Sequence, residues 1–207
     1  MPANYPKLKQ EDLVGSAVLL SGFIFLSLTA YMGLVTIFDF PDILRRPPEE
    51  IMAAFQAEQS AVRGFYYLFT FAHLVFAAGV IVMARTLRGW DNPWLEVATA
   101  GGVLYGVAQA AGFLRWPILV PMFAQLEGGA EQQSNAFLLL EAFHRYAGMA
   151  IGENLSFWGM AAWLVGIGVT LRRVNGSPQT VAWLWIVDGV LVALLTFEHL
   201  GGALAVL

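Results

Sequence analysis

Residues 13–38 read LVGSAVLLSGFIFLSLTAYMGLVTIF, and no charged side chain interrupts this run. A helix needs about 20 apolar residues to cross a hydrocarbon core of about 30 Å, so the run is long enough to span a membrane. It is also longer than the roughly 7–15 residues of a signal-peptide core, and no small-residue cleavage site interrupts it. We therefore predict a retained transmembrane helix here.

The rest of the chain repeats this pattern. Four further segments are as long and as apolar, namely 61–84, 94–120, 147–171 and 181–206. Hydrophobic residues make up 58% of the chain and charged residues only 13%, well below the roughly 25% charged residues of soluble proteins. The sequence predicts an all-α membrane protein, with five transmembrane helices in a single membrane-embedded domain covering 1–207. We expect shorter interfacial helices over 49–60 and 135–146.

The basic residues near the helix ends predict an orientation. Those that fall on one side of the predicted bundle are Lys7, Lys9, Arg85, Arg88, Arg172 and Arg173. Lys and Arg close to helix ends are retained on the cytoplasmic side of the bacterial inner membrane. This places the N-terminus in the cytoplasm and the C-terminus outside. The opposite loop, 39–50, contains Arg45 and Arg46, but four acidic residues offset them.

Composition excludes several kinds of site. The chain has no cysteine, which rules out disulfides, thiolate metal sites and thiol nucleophiles. The net charge is −4 and the few basic residues sit at helix ends, so we expect membrane lipids as partners and no nucleic acid. No lysine lies within a predicted span, which excludes a retinal Schiff base.

Polar residues in the predicted spans form a layer near the outer face. With a rise of 1.5 Å per residue, Arg63, Arg115, Glu153, Glu198 and His199 lie roughly 26–33 Å above the cytoplasmic helix ends. Charges in hydrocarbon cost about 2.5–3.5 kcal/mol each, and they normally turn inward and pair. This layer is either a set of helix-locking ion pairs or an outward-opening cavity for a ligand. The candidate ligand-binding residues are Arg63, Arg115, Trp116, Glu153, Asn154, Glu198 and His199.

The stretch LLLEAFHRYAGMAIGENLSF, residues 138–157, raises a problem of helical phase. At about 100° per residue, His144 and Glu153 lie about 180° apart on an α-helix, so they cannot face one pocket. Residues 136–171 are also too long for one perpendicular span. We therefore expect a bend or break near Gly148, with Glu153 inside the bundle. The preceding part would form the rim of the site, with Glu141, His144, Arg145 and Tyr146 as rim candidates.

Four cofactor or transport alternatives remain open. Glu141 and His144 have the Glu-x-x-His spacing of di-iron helices, but those sites need two such pairs and the chain has one. A single metal ion could use Glu141, His144 and His199. Haem b would need two histidines at matching height, and His73 and His199 differ by roughly 8–9 Å in height. A proton or solute path could instead step through Asp188 and His73.

Three motifs together resemble a known family. They are FLRWPILVP (113–121), EAFHRYAGMAIGEN (141–154) and FEHLGG (197–202). These are similar to motifs of the uncharacterised bacterial multi-pass membrane family catalogued as domain of unknown function 4386, over most of the chain from about residue 13. The resemblance implies a polytopic helical membrane protein and no catalytic assignment. It also implies that the shared site or scaffold contains Arg115, Trp116, His144, Arg145, Tyr146, Gly148, Gly152 and Glu153.

The sequence thus favours a non-enzymatic membrane protein. It would be an accessory subunit of a larger membrane complex, or it would bind a small lipophilic ligand at the polar layer. Contacts with other membrane subunits would use faces of small residues, which permit close helix approach. These faces contain Gly101, Gly102 and Gly106, or Gly148 and Gly152. The alternative is a membrane redox or metal- or haem-dependent enzyme using His144, Glu141 and His199.

Overall fold

The computed structural model describes residues 10–87, 92–125, 129–173 and 179–197. All the secondary structure within these ranges is helical, which confirms the all-α prediction. The α-helices are α1 (Gln10–Phe38), α2 (Pro48–Ala57), α3 (Gln59–Leu87), α4 (Pro93–Ile118), α5 (Val120–Ala124), α6 (Ala130–Phe143), α7 (Ser156–Arg172) and α8 (Gln179–Leu195). A short 3-10 helix, Asp42–Arg45, precedes α2, and a π-helix, His144–Leu155, joins α6 to α7.

Four helices in the described ranges are long and apolar enough to cross a membrane. They are Gln10–Phe38, Gln59–Leu87, Pro93–Ala124 and Glu131–Arg172. These helices contain four of the five predicted spans. The fifth predicted span, 181–206, begins within α8, an apolar helix of 17 residues. The described residues end at Phe197, so this fifth span stays a prediction.

A charged turn ends α1. Asp39 follows the helix with a φ of 51°, in the left-handed region that Asp tolerates better than most residues with a side chain. Its carboxylate accepts a hydrogen bond from the Arg46 guanidinium, and that guanidinium also lies 3.9 Å from the Glu50 carboxylate. Two of the acidic residues in this loop, Asp39 and Glu50, therefore pair with Arg46 in the fold.

The chain divides into two compact units, which are described separately below. The first contains the described parts of 1–21, 75–107 and 154–207. Within it, α4 and α7 touch backbone to backbone, because a Cβ on Gly101 would lie 2.6 Å from the Gly159 carbonyl oxygen. A Cβ on Gly159 would in turn lie 2.7 Å from the Gly101 oxygen. Glycine at both positions allows this approach, as small residues do between membrane helices.

The second unit contains 22–74 and 108–153. Its core includes the fully or almost fully buried side chains of Leu34, Phe38, Phe55, Tyr66 and Trp116. The short helix α2 contributes to this core with its apolar face, Ile51, Met52 and Phe55. The helix α2 overlaps the predicted segment 49–60, and α6 overlaps the predicted segment 135–146. Their placement at the membrane interface and the single-domain prediction both stay predictions.

The glycine faces that we assigned to partner subunits are used inside the chain. Gly101 packs against α7, and a Cβ on Gly102 would lie 2.8 Å from both γ-methyls of Val80. Gly148 and Gly152 contact Arg115 and Gly112 in the same way. These four residues are buried, so they are not open to another subunit.

Candidate functional site: a buried arginine against a π-helix

The region of the predicted break is a continuous helix with altered geometry. Residues His144–Leu155 form a π-helix of 12 residues between α6 and α7. The helical path runs without interruption through Glu131–Arg172, so the chain does not break near Gly148; of the predicted bend or break, a bend stays a prediction. Most π-helices are single turns, and they are frequent at functional sites.

The π geometry changes which side chains share a face. Hydrogen bonds from i to i+5 give roughly 4.4 residues per turn, or about 80° per residue, instead of about 100°. The nine residues from His144 to Glu153 then make about two full turns. The two side chains lie within about 20° of each other, where an α-helix would separate them by about 180°. His144 and Glu153 can therefore face one pocket, contrary to the prediction from α-helical geometry.

The burial pattern agrees with this change of phase. Leu140, Gly148, Gly152 and Ser156 are buried, at intervals that are multiples of four residues. On an α-helix each such step of four residues drifts by about 40°, so the first and last positions would lie about 160° apart. On a π-helix, a step of four residues rotates in the opposite direction, so these residues stay on one face.

The register can be tested because the chain contains no cysteine. Ser156 is fully buried and Leu155 is 42% exposed, whereas an uninterrupted α-helix would turn Leu155 to within about 20° of the Gly148 face. We expect Leu155→Cys to react with N-ethylmaleimide, which crosses membranes, at least tenfold faster than Ser156→Cys. Mass spectrometry would follow alkylation, with the cysteine-free chain as the blank. Faster reaction at position 156 would contradict the π register.

Arg115 is the central polar residue of this region. It lies in the last turn of α4, which ends at Ile118 just after Pro117, and it is only 8% exposed. A cation is favoured in the last turn of a helix. Its Nη1 donates a hydrogen bond of 2.6 Å to the Gly112 carbonyl oxygen, and its Nη2 lies 3.5 Å from Nδ1 of His144.

Two glycines of the π-helix make room for α4. A Cβ on Gly148 would lie 2.8 Å from both Cζ and Nη2 of Arg115, so the guanidinium occupies the place of a side chain. A Cβ on Gly112 of α4 would lie 2.7 Å from Cα of Gly152. The small-residue spacing of Gly148 and Gly152 thus brings the π-helix against the arginine.

Glu153 is the acidic partner of this arginine. Its carboxylate interacts electrostatically with the Arg115 guanidinium. Glu153 is exposed, however, and does not lie inside the bundle as we expected. The π geometry accounts for both facts, because it turns Glu153 to the same side as His144, next to the buried Gly148 face.

Aromatic rings form the other wall of the site. Trp116 stacks on Tyr66, with ring centroids 5.0 Å apart and an interplanar angle of 8°, and the Arg115 guanidinium carbon lies 5.4 Å from the Trp116 ring centroid. Tyr66 is fully buried and Trp116 is 1% exposed. We call Tyr66, Arg115, Trp116, His144 and Glu153 the Arg115 cluster.

Several buried donors of this unit lack a hydrogen-bond partner. Within the described residues, the Tyr66 hydroxyl, Nε1 of Trp116 and Nε of Arg63 have none. A buried polar group without a partner costs about 1–3 kcal/mol, and such groups are rare enough to call for an explanation. Tyr66 is not among the predicted ligand-binding residues. The available signal was its spacing, because it lies three residues after Arg63 on the same helical face.

Of the predicted rim residues, Arg145 and Tyr146 are exposed, whereas Glu141 and His144 are partly buried. Arg145 pairs with Glu141 one turn earlier, with Nη2 and Nε at 2.7 and 3.1 Å from one carboxylate oxygen. Tyr146 is 65% exposed, and Asn154 is partly buried. The remaining two candidates, Glu198 and His199, lie outside the described residues.

The described residues give little support to a metal site. No group of three His, Asp or Glu side chains within them has the spacing to hold a metal ion. Glu141 is already paired with Arg145, and His144 lies beside the Arg115 guanidinium, a positive charge that opposes a bound cation. His199, the third residue of the predicted set, is not described.

His73 is packed as a core residue. Its Nδ1 lies 2.8 Å from the Phe69 carbonyl oxygen, and the rings of Phe23, Phe69 and Phe113 surround it with centroids 5.2–5.7 Å away. Asp188, the other residue of the predicted transport path, is exposed on α8. A proton or solute path through these two residues stays a prediction.

Comparison with known proteins identifies the family. The family described as Domain of unknown function (DUF4386) matches residues 16–206, almost the full length. No curated protein and no solved structure matches the chain significantly. The resemblance seen in the three sequence motifs is confirmed, and the chain belongs to the DUF4386 family.

Proposed function

We propose that this chain is a non-enzymatic, multi-pass protein of the bacterial inner membrane that binds a small lipophilic ligand at the Arg115 cluster. Support comes first from Arg115 itself, which is buried within a helix long enough to span the membrane. Ionisable residues in such positions are costly, and they commonly mark functional sites.

The single observation that carries the proposal is the set of buried donors without partners. Within the described residues, the Tyr66 hydroxyl and Nε1 of Trp116 lack acceptors, and both side chains lie beside the Arg115 guanidinium. A ligand oxygen would satisfy them and would also meet the positive charge. The ligand is therefore an apolar molecule carrying a carboxylate, a phosphate or a carbonyl group.

The proposal includes five spans with the N-terminus in the cytoplasm and the C-terminus outside. One compact unit contains the start of α1, the end of α3, the start of α4, and all of α7 and α8. The same unit contains Arg85, Arg172 and Arg173. Basic residues gathered at one set of helix ends support a cytoplasmic position for those ends. The Arg115 cluster then lies toward the outer face.

A second candidate function is an accessory role in a larger membrane complex. The observation that favours it is the open apolar surface of α1 and α8; only Ala182 and Gly189 of α8 are buried. Large exposed side chains such as Phe25 and Leu184, at 70% and 64% exposed, would contact lipid or another subunit. Partner subunits retained on gentle extraction would support this role. We expect these subunits to contact the exposed apolar surface and not the glycines of α4 and the π-helix.

The Tyr66 hydroxyl provides the test of ligand binding. Because that hydroxyl lacks a protein acceptor, we expect Tyr66→Phe to leave the melting temperature unchanged or higher. We expect the dissociation constant of the ligand to rise at least about tenfold, since a hydrogen bond to a charged group contributes about 1.5–3 kcal/mol, and the fraction of protein carrying ligand to fall accordingly. Native mass spectrometry of protein extracted gently from its own membranes measures that fraction.

Tyr67→Phe is the matched control, because Tyr67 is the next residue and is 47% exposed. It should change neither the melting temperature nor the bound mass. A Tyr66→Phe protein that melts at a lower temperature and keeps its full complement of ligand would assign the hydroxyl a purely structural role.

A further inference from the structure

A separate cavity lies in the unit formed by 22–74 and 108–153, between α2, α5 and α6. Its volume is about 360 Å³, which falls within the range of about 300–1,000 Å³ for small-molecule sites. It is lined by Glu49, Met52, Ala53, Gln56, Phe123, Ala124, Gln133, Ala136 and Phe137. None of these residues belongs to the Arg115 cluster, so this site does not depend on the function proposed above.

The floor of the cavity is apolar and fixed. Met52, Phe123 and Ala136 are all at most 9% exposed, and they belong to the buried core of this unit. A floor made of core side chains holds its shape before a ligand arrives, and this lowers the cost of ordering on binding. It can receive an apolar group of the size of a small ring or a short alkyl chain.

The rim of the cavity is polar and is tied across two helices. Glu49, Gln56 and Gln133 are exposed at its mouth. Nε2 of Gln56 donates a hydrogen bond of 3.3 Å to the Ala124 carbonyl oxygen, which connects α2 to α5 beside the cavity. A ligand would therefore place a polar end at the mouth and its apolar part on the floor.

The charge of the lining selects the polar end of the ligand. Among the described residues that line the cavity, Glu49 is the one with a charged side chain, and none is basic. Phe123 and Phe137 add aromatic rings, whose faces attract cations by about 0.5–2 kcal/mol. A carboxylate accepts hydrogen bonds and repels anions. From this arrangement we propose that the cavity binds a small organic ammonium ion with an apolar substituent.

Three probes of similar shape and different charge test this assignment. 2-Phenylethylammonium, 2-phenylethanol and 3-phenylpropanoate would each be titrated calorimetrically into the protein in nanodiscs of zwitterionic lipid. We expect saturable binding of the ammonium ion, affinity for the alcohol at least fivefold weaker, and no saturable binding of the carboxylate. Empty nanodiscs measure partitioning into lipid. Equal affinity for the ammonium ion and the alcohol, preference for the carboxylate, or no saturable binding at all would overturn the proposal.

Two pairs of variants, on α2 and at the residue that follows it, locate the binding. Glu49→Gln should weaken ammonium binding about threefold to tenfold and leave alcohol binding unchanged, since Glu49 is exposed and partly screened. Glu58→Gln, outside the lining, should change neither. Ala53→Trp should fill the mouth and abolish binding, whereas Ala57→Trp, exposed on the same helix and outside the lining, should not. Unchanged binding in both Glu49→Gln and Ala53→Trp would place the ammonium ion elsewhere.

Discussion

Gly159→Ala is expected to destabilise the protein by about 1–3 kcal/mol, and Gly159→Leu to prevent recovery of folded protein. A Cβ at this position would lie 2.7 Å from both the Gly101 carbonyl oxygen and the Tyr105 amide nitrogen. These are backbone atoms, which cannot rotate away as the end of a side chain can. The substitution must separate α4 from α7 within their unit, and forcing extra atoms into a packed core carries a cost of this size.

The matched control is Gly64→Ala on α3, where a Cβ meets no atom within 4 Å. Alanine is the better helix former by about 1 kcal/mol, so this variant should be as stable as the wild type or more stable. The variants would be compared by the fraction of detergent-solubilised protein that stays monodisperse after heating. If Gly159→Ala and Gly64→Ala lose monodispersity at the same temperature, the backbone contact between α4 and α7 does not limit stability.

Gly148→Ala is expected to abolish ligand binding while the protein stays folded. The new Cβ would lie 2.8 Å from Cζ and Nη2 of Arg115. Unlike the backbone atoms next to Gly159, the guanidinium ends a flexible side chain and can rotate away at small cost. It would then leave its positions next to the Gly112 carbonyl and His144, and the charge would no longer be directed at the ligand oxygen.

Arg115→Gln provides the comparison for this effect. It removes the positive charge altogether, so we expect it to lose the ligand and also to lower the stability, because the buried hydrogen bond from Nη1 to the Gly112 carbonyl oxygen is lost. We expect Gly148→Ala to be stable and Arg115→Gln to be destabilised, with neither protein carrying ligand. This result would show that ligand binding depends on the position of the guanidinium, and that folding depends on its presence.

Helix positions were predictable because apolar length and composition decide them. The predicted starts at residues 13, 61 and 94 lie within three residues of the observed starts of α1, α3 and α4. The family could also be identified from three short motifs. These features depend on local sequence alone, and the membrane requirement for about 20 apolar residues is strict.

The geometry of the site could not be predicted in the same way. Residue spacing was converted to angle at 100° per residue, and no propensity signals that His144–Leu155 adopts a π-helix. That error separated His144 from Glu153. Spacing of glycines also indicates only that something packs closely, so Gly101 and Gly102 were assigned to a partner although they contact this chain's own helices. Tyr66 was missed because its burial depends on α4, which is distant in sequence.

The most direct test of the account is native mass spectrometry of the wild type, Gly148→Ala and Gly64→Ala, each extracted gently from its own membranes. We expect an additional bound mass on the wild type and on Gly64→Ala. We expect folded Gly148→Ala to lack this mass. A Gly148→Ala protein that keeps the mass at wild-type occupancy, or a wild type that carries no bound mass, would contradict ligand binding at Arg115.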